Sequence, residues 1–314
     1  MLNLSLKARA ELMFRFAARS KWGKLQSLLG INLKEDGGNT EIVSIDDDCS
    51  VVSTRIAPWI CLPDGRPCIT SAITLFDQIS TFAGAVPWDH RMRGGQSLTL
   101  QADVYKPLDL NPGDEVIFVN HKKRHGKVVS FIEAEMMNTK RETLAYLRHI
   151  RYQPMGYEWE VLGHPVLRPM LFFALESHNY AMPVTSCSIP EYWDEVFCPV
   201  NVSQSEQGLH AHFEVNDMLA NPLGNLQGGV RCMMQVQLAK QAVQGILSDR
   251  LPIKHFHASF LSGVKVSSKE KRIVGVHSSF ASRSLAGYRQ SEATFSRDNK
   301  PVVLSTVVWG DPEG

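Results

Sequence analysis

The strongest candidates for a reactive or ligand-binding site fall between Asn221 and Gln244, which read N-P-L-G-N-L-Q-G-G-V-R-C-M-M-Q-V-Q-L-A-K-Q-A-V-Q. Pro222, Gly224 and Asn225 break regular structure, so the stretch begins as a loop. From the pair Gly228-Gly229 onward the apolar residues take helical spacing. Cys232, Val236, Ala239, Val243 and Ile246 share a face, with Met233, Met234, Leu238 and Leu247 beside them. The spacing predicts a largely buried helix that starts at the glycines. The first N–H groups of such a helix have no intrahelical acceptor, carry the positive end of its dipole and here lack a Cβ to obstruct approach. That arrangement polarises a carbonyl or holds an oxyanion. A plainer reading of the same glycines is close packing of the loop, and the pair alone does not separate the two.

A second stretch of helical spacing runs from Ser71 to Gly84, where Ala72, Leu75, Phe76, Ile79, Phe82, Ala83 and Val86 recur on one side. Asp77 lies one step beyond Phe76, off the most apolar face, where an acid is solvated, paired or functional. The pairs His210/His212 and His255/His257 each put two imidazoles on one face of a strand, but without nearby carboxylates they do not read as a metal site. The six cysteines, at positions 49, 61, 68, 187, 198 and 232, show no C-x-x-C. They read as reduced thiols of an intracellular compartment, and no metal is expected.

These candidates must be positioned by a large fold. At 314 residues and 44% hydrophobic, the chain is long enough for two domains with real cores. A net charge of +1 gives no reason to expect nucleic acid or an anionic membrane as partner, and the basic run His121 to His125 reads as a strand end and turn. No apolar run approaches the roughly 20 residues of a membrane span. Residues 1–37 differ from the rest: Lys7, Arg9, Arg15, Arg19, Lys21 and Lys24 alternate with apolar residues, and Glu11 is the only acid among the first thirty. Such a basic amphipathic helix fits a mitochondrial transit segment or a docking helix, so mitochondrial and cytoplasmic locations both stay open.

From Thr40 the pattern is strand-like. Glu41–Ile45 and Val51–Ile56 read as a hairpin; Leu98–Tyr105, Glu115–Arg124, Lys127–Met137 and Glu142–Tyr152 read as an antiparallel meander. Residues 154–202 are rich in proline and aromatics without a sustained period and read as a connector, with a short helix near Met170–His178. Then the first arrangement returns. His210–Val215 is a strand, the helix of 221–247 follows, and strands come at His255–Phe260, Arg272–Ala281, Tyr288–Arg297 and Pro301–Trp309. One helix among antiparallel strands, twice, defines an α+β protein with units at 38–153 and 203–314.

With these residues in place, the chain resembles the PaaI-like acyl-CoA thioesterases of the hotdog fold. Asn221, Pro222, Gly224, Gly228 and Gly229 match that family's N-P-x-G-x-x-(H/Q)-G-G loop, with Gln227 where His is usual. The resemblance covers roughly 38–153 and 203–311 and implies two hotdog units fused in one chain, a pseudo-dimer; further association of two chains is left open. Family members carry an acid nine residues after the His, on the central helix. Nine from Gln227 is Val236, so the second unit has the loop and lacks the acid. Nine before Asp77 is Cys68, followed by Ile69 and Thr70, so the first unit has the acid and lacks the loop. In family dimers each site takes its loop from one unit and its acid from the other.

The resemblance therefore implies one surviving composite site, with Asp77 as base or nucleophile, Gly228 and Gly229 N–H groups polarising the thioester carbonyl, and Asn221 and Gln227 positioning carbonyl or water. Ser97, ten residues before Pro107, matches an assisting hydroxyl of some members. Arg91, Arg93 and Arg283 are candidates for the phosphates of coenzyme A. The expected activity is acyl-CoA thioester hydrolysis in lipid metabolism, with coenzyme A entering only as part of the substrate and no separate cofactor. The other readings are a catalytically degenerate hotdog protein that binds acyl-CoA or serves a larger assembly, and an enoyl-thioester hydratase, whose Asp and His loop pair is missing.

Overall fold

The computed structural model describes residues 4–19, 26, 29–61, 69–106, 110–153, 199–206, 208–215, 217–221, 224–244, 253–266, 272–285, 288–297 and 300–310. Most of the 154–202 connector, with the helix expected at 170–178, lies outside them. The first half contains helix α1 (Leu6–Arg19), strands β1 (Thr40–Ile45) and β2 (Cys49–Arg55), helix α2 (Ile69–Ile79) and short helix α3 (Val86–Trp88). Strands β3 (Gln96–Val104), β4 (Glu115–His125), β5 (Val129–Asn138) and β6 (Thr143–Tyr152) complete it. The second half contains β7 (Asn201–Ser205), β8 (Gly208–Val215), helix α4 (Gly228–Gln244), β9 (Ile253–Phe260), β10 (Arg272–Leu285), β11 (Tyr288–Arg297) and β12 (Lys300–Trp309).

All twelve strands join one antiparallel sheet in the order β1-β2-β4-β5-β6-β3-β9-β12-β11-β10-β8-β7. Read inward from either edge, the two halves have the same order. Their seam is the pairing of β3 with β9, Thr99 opposite Ser259 through Asp103 opposite His255. One expectation is corrected here. The meander is β4-β5-β6, while β3 does not neighbour β4 but pairs with β6 and crosses to the other half. A twisted sheet of this length buries its inner face by wrapping helices, and α2 and α4 pack against each other and the sheet.

Alternation decides which side chains face the helices. In β5 Ser130, Ile132, Ala134 and Met136 are buried, and in β6 the inward row is Ala145, Leu147, His149 and Arg151. Helix α2 extends into a π-helical segment, Ser80–Ala85, before α3. Such wide turns open an α-helix locally and are frequent beside functional sites.

Helix α1 docks on this segment through Ala10, Met13, Phe14 and Ala17, which recur at helical intervals and are buried. Phe14 meets Phe82 edge to face at 5.3 Å, Arg9 Nη1 donates to the Pro87 carbonyl at 3.2 Å, and Arg15 reaches Glu35 and Asp36. Among the described residues no helix is long and apolar enough to cross a membrane.

Candidate active site

The N-terminus of α4 abuts the middle of α2, and the two glycines are what permit it. A Cβ on Gly229 would lie 2.6 Å from Thr74 Cα, a backbone atom that cannot yield. A Cβ on Gly228 would lie 2.9 Å from Asp77 Oδ2 and 3.2 Å from Ser97 Oγ. Close packing and room for a ligand are thus divided between the pair: Gly229 packs on α2, and Gly228 keeps open the space before Asp77.

Gln227 caps α4. Its Oε1 accepts the Val230 N–H at 3.0 Å, which fixes the amide so that Nε2 donates to Asp77 Oδ2. Asp77 Oδ2 also accepts the Gly229 N–H at 2.9 Å, and Oδ1 accepts from Ser97 Oγ at 3.2 Å. The Gly229 N–H is therefore spent on the carboxylate and not on a substrate carbonyl, which corrects that expectation. Asn221 holds the loop: its Oδ1 accepts the Asn225 N–H at 3.1 Å, and it lines the same cavity.

That cavity, about 210 Å³, brings together Asp77, Ser97, Asn221, Gln227 and Gly228. Its apolar wall includes Phe82, Met92 and Leu98 from the first half, Phe260 and Leu261 from the second, and Met13 and Phe16 from α1. Ser97 reaches it because of a bulge. Register shifts between Ser97 and Thr99, so Ser97 sits opposite Arg151 while Thr99 sits opposite Ile150. With Leu100 and Ala102 buried, unbroken alternation would turn Ser97 outward; the extra residue turns it in.

Three residues near Asp77 carry no mark in the loop motif: His149, Arg151 and Arg231. His149 Nε2 is 3.0 Å from Ser97 Oγ and 3.4 Å from Asp77 Oδ1. Arg151 donates to the Gly94 carbonyl, and Arg231 donates to the Ser262 carbonyl at 2.8 Å and stacks on Phe260 at 4.5 Å. The signal for the first two was the period of β6, which places both in the inward row under α2. Arg231, one turn after Gln227, shares its side of α4.

Burial governs the electrostatics. It raises the Asp77 carboxyl above its ordinary value, against the pull of Arg151, the Gly229 N–H, Ser97 and Arg231. Burial pulls both guanidiniums down to about 10, so they stay charged at neutral pH. Burial, helped by the Arg151 charge, holds His149 well below the usual imidazole range, which leaves the ring neutral.

The phosphate candidates fare differently. Arg91 lines the cavity. Arg93 is buried, with Nε on Asp89 Oδ2 at 2.7 Å, Nη2 on Oδ1 at 3.2 Å and Nη1 on the Lys127 carbonyl at 3.0 Å, so it is an interior ion pair and not a phosphate ligand. Although burial opposes it, bonds from His125 and Arg93 hold Asp89 well below the usual carboxylate range. Arg283 falls on β10, but its side chain lies outside the described residues. His255 is tied to Asp103, Nδ1 to Oδ1 at 2.6 Å.

No protein-family model matches the sequence, nor does any curated protein at a significant level. Solved structures resemble the fold over most of its length. The 12:0-ACP thioesterase from Umbellularia californica superposes with a TM-score of 0.55 at 9% identity, covering 83% of this chain and 93% of its own. An acyl-ACP thioesterase from Bacteroides thetaiotaomicron gives 0.52 at 9% identity, covering 83% and 97%. The TesB protein of Mycobacterium avium subspecies paratuberculosis gives 0.54 at 10% identity, covering 91% and 98%. The class defined is the α+β double hotdog, two units in one chain, and the first two of these solved structures are acyl-ACP thioesterases.

Proposed function

We propose that this chain is a thioesterase that hydrolyses acyl-CoA at one composite site, with Asp77 from the first half and Asn221, Gln227 and Gly228 from the second. The observation that carries the reading is the Asp77 carboxylate, gripped across the halves by Gly229 N–H at 2.9 Å and the Gln227 amide, and facing a cavity with an apolar wall. An acid held this firmly cannot swing away, so its basicity is directed at whatever occupies the space over Gly228.

The chemistry follows from the donors. The Gly228 N–H opens α4 at the positive end of its dipole and polarises the thioester carbonyl. Asp77 takes a proton from a water as its oxygen attacks the carbonyl carbon. The tetrahedral oxyanion collapses, the C–S bond breaks, and the thiolate recovers the proton from Asp77. Burial raises the Asp77 carboxyl, Arg151 and Arg231 pull it back toward the ionised form, and both favour the negative charge that develops. Met13, Phe16, Phe82 and Phe260, which line the cavity, would hold the acyl group, and Arg91, which lines it too, would meet the coenzyme A phosphates.

The test is turnover of short, long and aryl acyl-CoA esters, and the same acyl groups on acyl carrier protein, by the parent and by Asp77→Asn. Turnover that vanishes in the variant while circular dichroism is unchanged supports the reading. Absence of turnover by the parent on every ester sinks it in favour of the degenerate, acyl-CoA-binding alternative.

A further inference from the structure

His149 has no part in the reaction as written, yet it is fully buried in contact with Asp77, which does, and with Ser97 beside it. The tautomer of its ring turns on where the Ser80 hydroxyl donates. A serine hydroxyl carries one hydrogen, and we assign that of Ser80 to the Phe76 carbonyl, its shortest contact at 2.6 Å. The same Ser80 Oγ lies 2.8 Å from His149 Nδ1 and has only lone pairs left to offer it. Nδ1 must therefore carry the hydrogen, and Nε2 of the neutral ring is an acceptor. Nε2 and Asp77 Oδ1 then face each other at 3.4 Å, both acceptors, with the Ser97 hydroxyl at 3.0 Å from one and 3.2 Å from the other. One hydrogen serves one of them at a time.

Resting on the proposed thioesterase reading, we infer that His149 is a positioning residue that acts through Ser97: it draws the Ser97 hydrogen away from Asp77 Oδ1 and so keeps Asp77 a stronger base. A carboxylate loses basicity with each donor it gains. With Oδ2 already taking two donors, the bond from Ser97 is the one that can still be turned on or off. Protonation of His149 would reverse the arrangement, since Nε2–H no longer accepts and the Ser97 hydrogen returns to Oδ1. The charged and polar groups around the ring are Asp77 from α2, Ser80 from the π-helical segment, Ser97 from β3 and Arg151 from its own strand, with Phe76 packed at 5.9 Å. Ser80 is thereby assigned a role as well, as the lock on the tautomer.

Two measurements test this. The first needs no turnover: 15N spectra of the histidine-labelled full chain, with the His149 signals identified by their loss in His149→Leu, should show a protonated Nδ1 and an unprotonated Nε2 at neutral pH. The opposite tautomer overturns the inference whatever the activity. The second is the pH dependence of kcat. In His149→Leu the Ser97 hydrogen passes to Asp77, so the acid limb should move down by roughly one pH unit and the plateau should fall several-fold. Ser80→Ala should move the limb the same way by less. In a Ser97→Ala background the His149 substitution should move it no further. A purely structural role lowers kcat with the limb in place, and that result, or movement upward, refutes the proposal. If the parent hydrolyses no thioester, the thioesterase reading fails, and the tautomer still tests the hydrogen-bond argument.

Discussion

The two halves share one strand order but differ at the place where chemistry would occur. In the first, the helix facing the seam carries Asp77, and the inward row of β6 is Ala145, Leu147, His149 and Arg151. In the second, the position matching Asp77 is Val236, fully buried, and the inward row of β12 is Val303, Ser305, Val307 and Trp309. Even its polar groups are turned to structure: Trp309 Nε1 donates to Ser291 Oγ at 3.1 Å, and Gln235 Nε2 reaches the Ala293 and Val303 carbonyls at 3.4 Å. Three charged or titratable groups of the first half, Asp77, His149 and Arg151, are buried together with Arg231 from the second half's α4, whereas around Val236 and β12 the matching places hold mostly apolar packing. The comparison teaches that one pseudo-symmetric place keeps charge where burial makes it costly, and the other discards it.

The largest effect should come from forcing the halves to match. Val236→Asp buries an acid among apolar neighbours without the donors that surround Asp77; we expect a loss of about 3–5 kcal/mol in denaturant unfolding and no new turnover. A well-folded variant with added activity would show that the second place is merely vacant.

Asp77→Asn should cost about a thousandfold in kcat, roughly 4 kcal/mol of transition-state stabilisation. Its stability should move the other way. Because the folded carboxyl titrates above its unfolded value, ionising it costs the native state stability as pH rises past that unfolded value. The variant cannot ionise, so its melting temperature should equal or exceed the parent's at pH 7, with the gap closing toward pH 4.

The glycines sharpen the contrast between packing and access. Gly229→Ala, pressed against the Thr74 backbone, should destabilise by about 2–3 kcal/mol. Gly228→Ala, which meets side-chain oxygens instead, should cost less in stability, about 1 kcal/mol, while lowering kcat roughly a hundredfold. The smallest effect belongs to the second half: Trp309→Phe removes the bond to Ser291 and should cost about 1 kcal/mol with kcat unchanged.

The loop and its partner acid were legible in the sequence because they depend on short spacings: Gln227-Gly228-Gly229 opens a helix, and the offsets to Val236 and back from Asp77 expose complementary gaps. Ser97 was legible only through its distance from Pro107, and the bulge that aims it leaves no local mark. His149 and Arg151 sit in a strand whose alternation was readable, but which side faced the core depended on β6 lying between β5 and β3, a long-range pairing. Arg93 was misread although its partner Asp89 stands four residues before it, within one helical turn's reach. The π-helical segment after Asp77 could not be seen at all, because Ala72 to Val86 keep an unbroken apolar period.

The seam between β3 and β9 has a consequence for how the protein responds to dilution. A site assembled from two separate subunits disappears as their concentration falls below the dissociation constant. Here the acid and the loop are tethered by one polypeptide, at an effective concentration no dilution can change. On the proposed thioesterase reading, specific activity should thus stay constant down to the lowest amounts that can be assayed, and the two halves are free to diverge because each always meets the same partner.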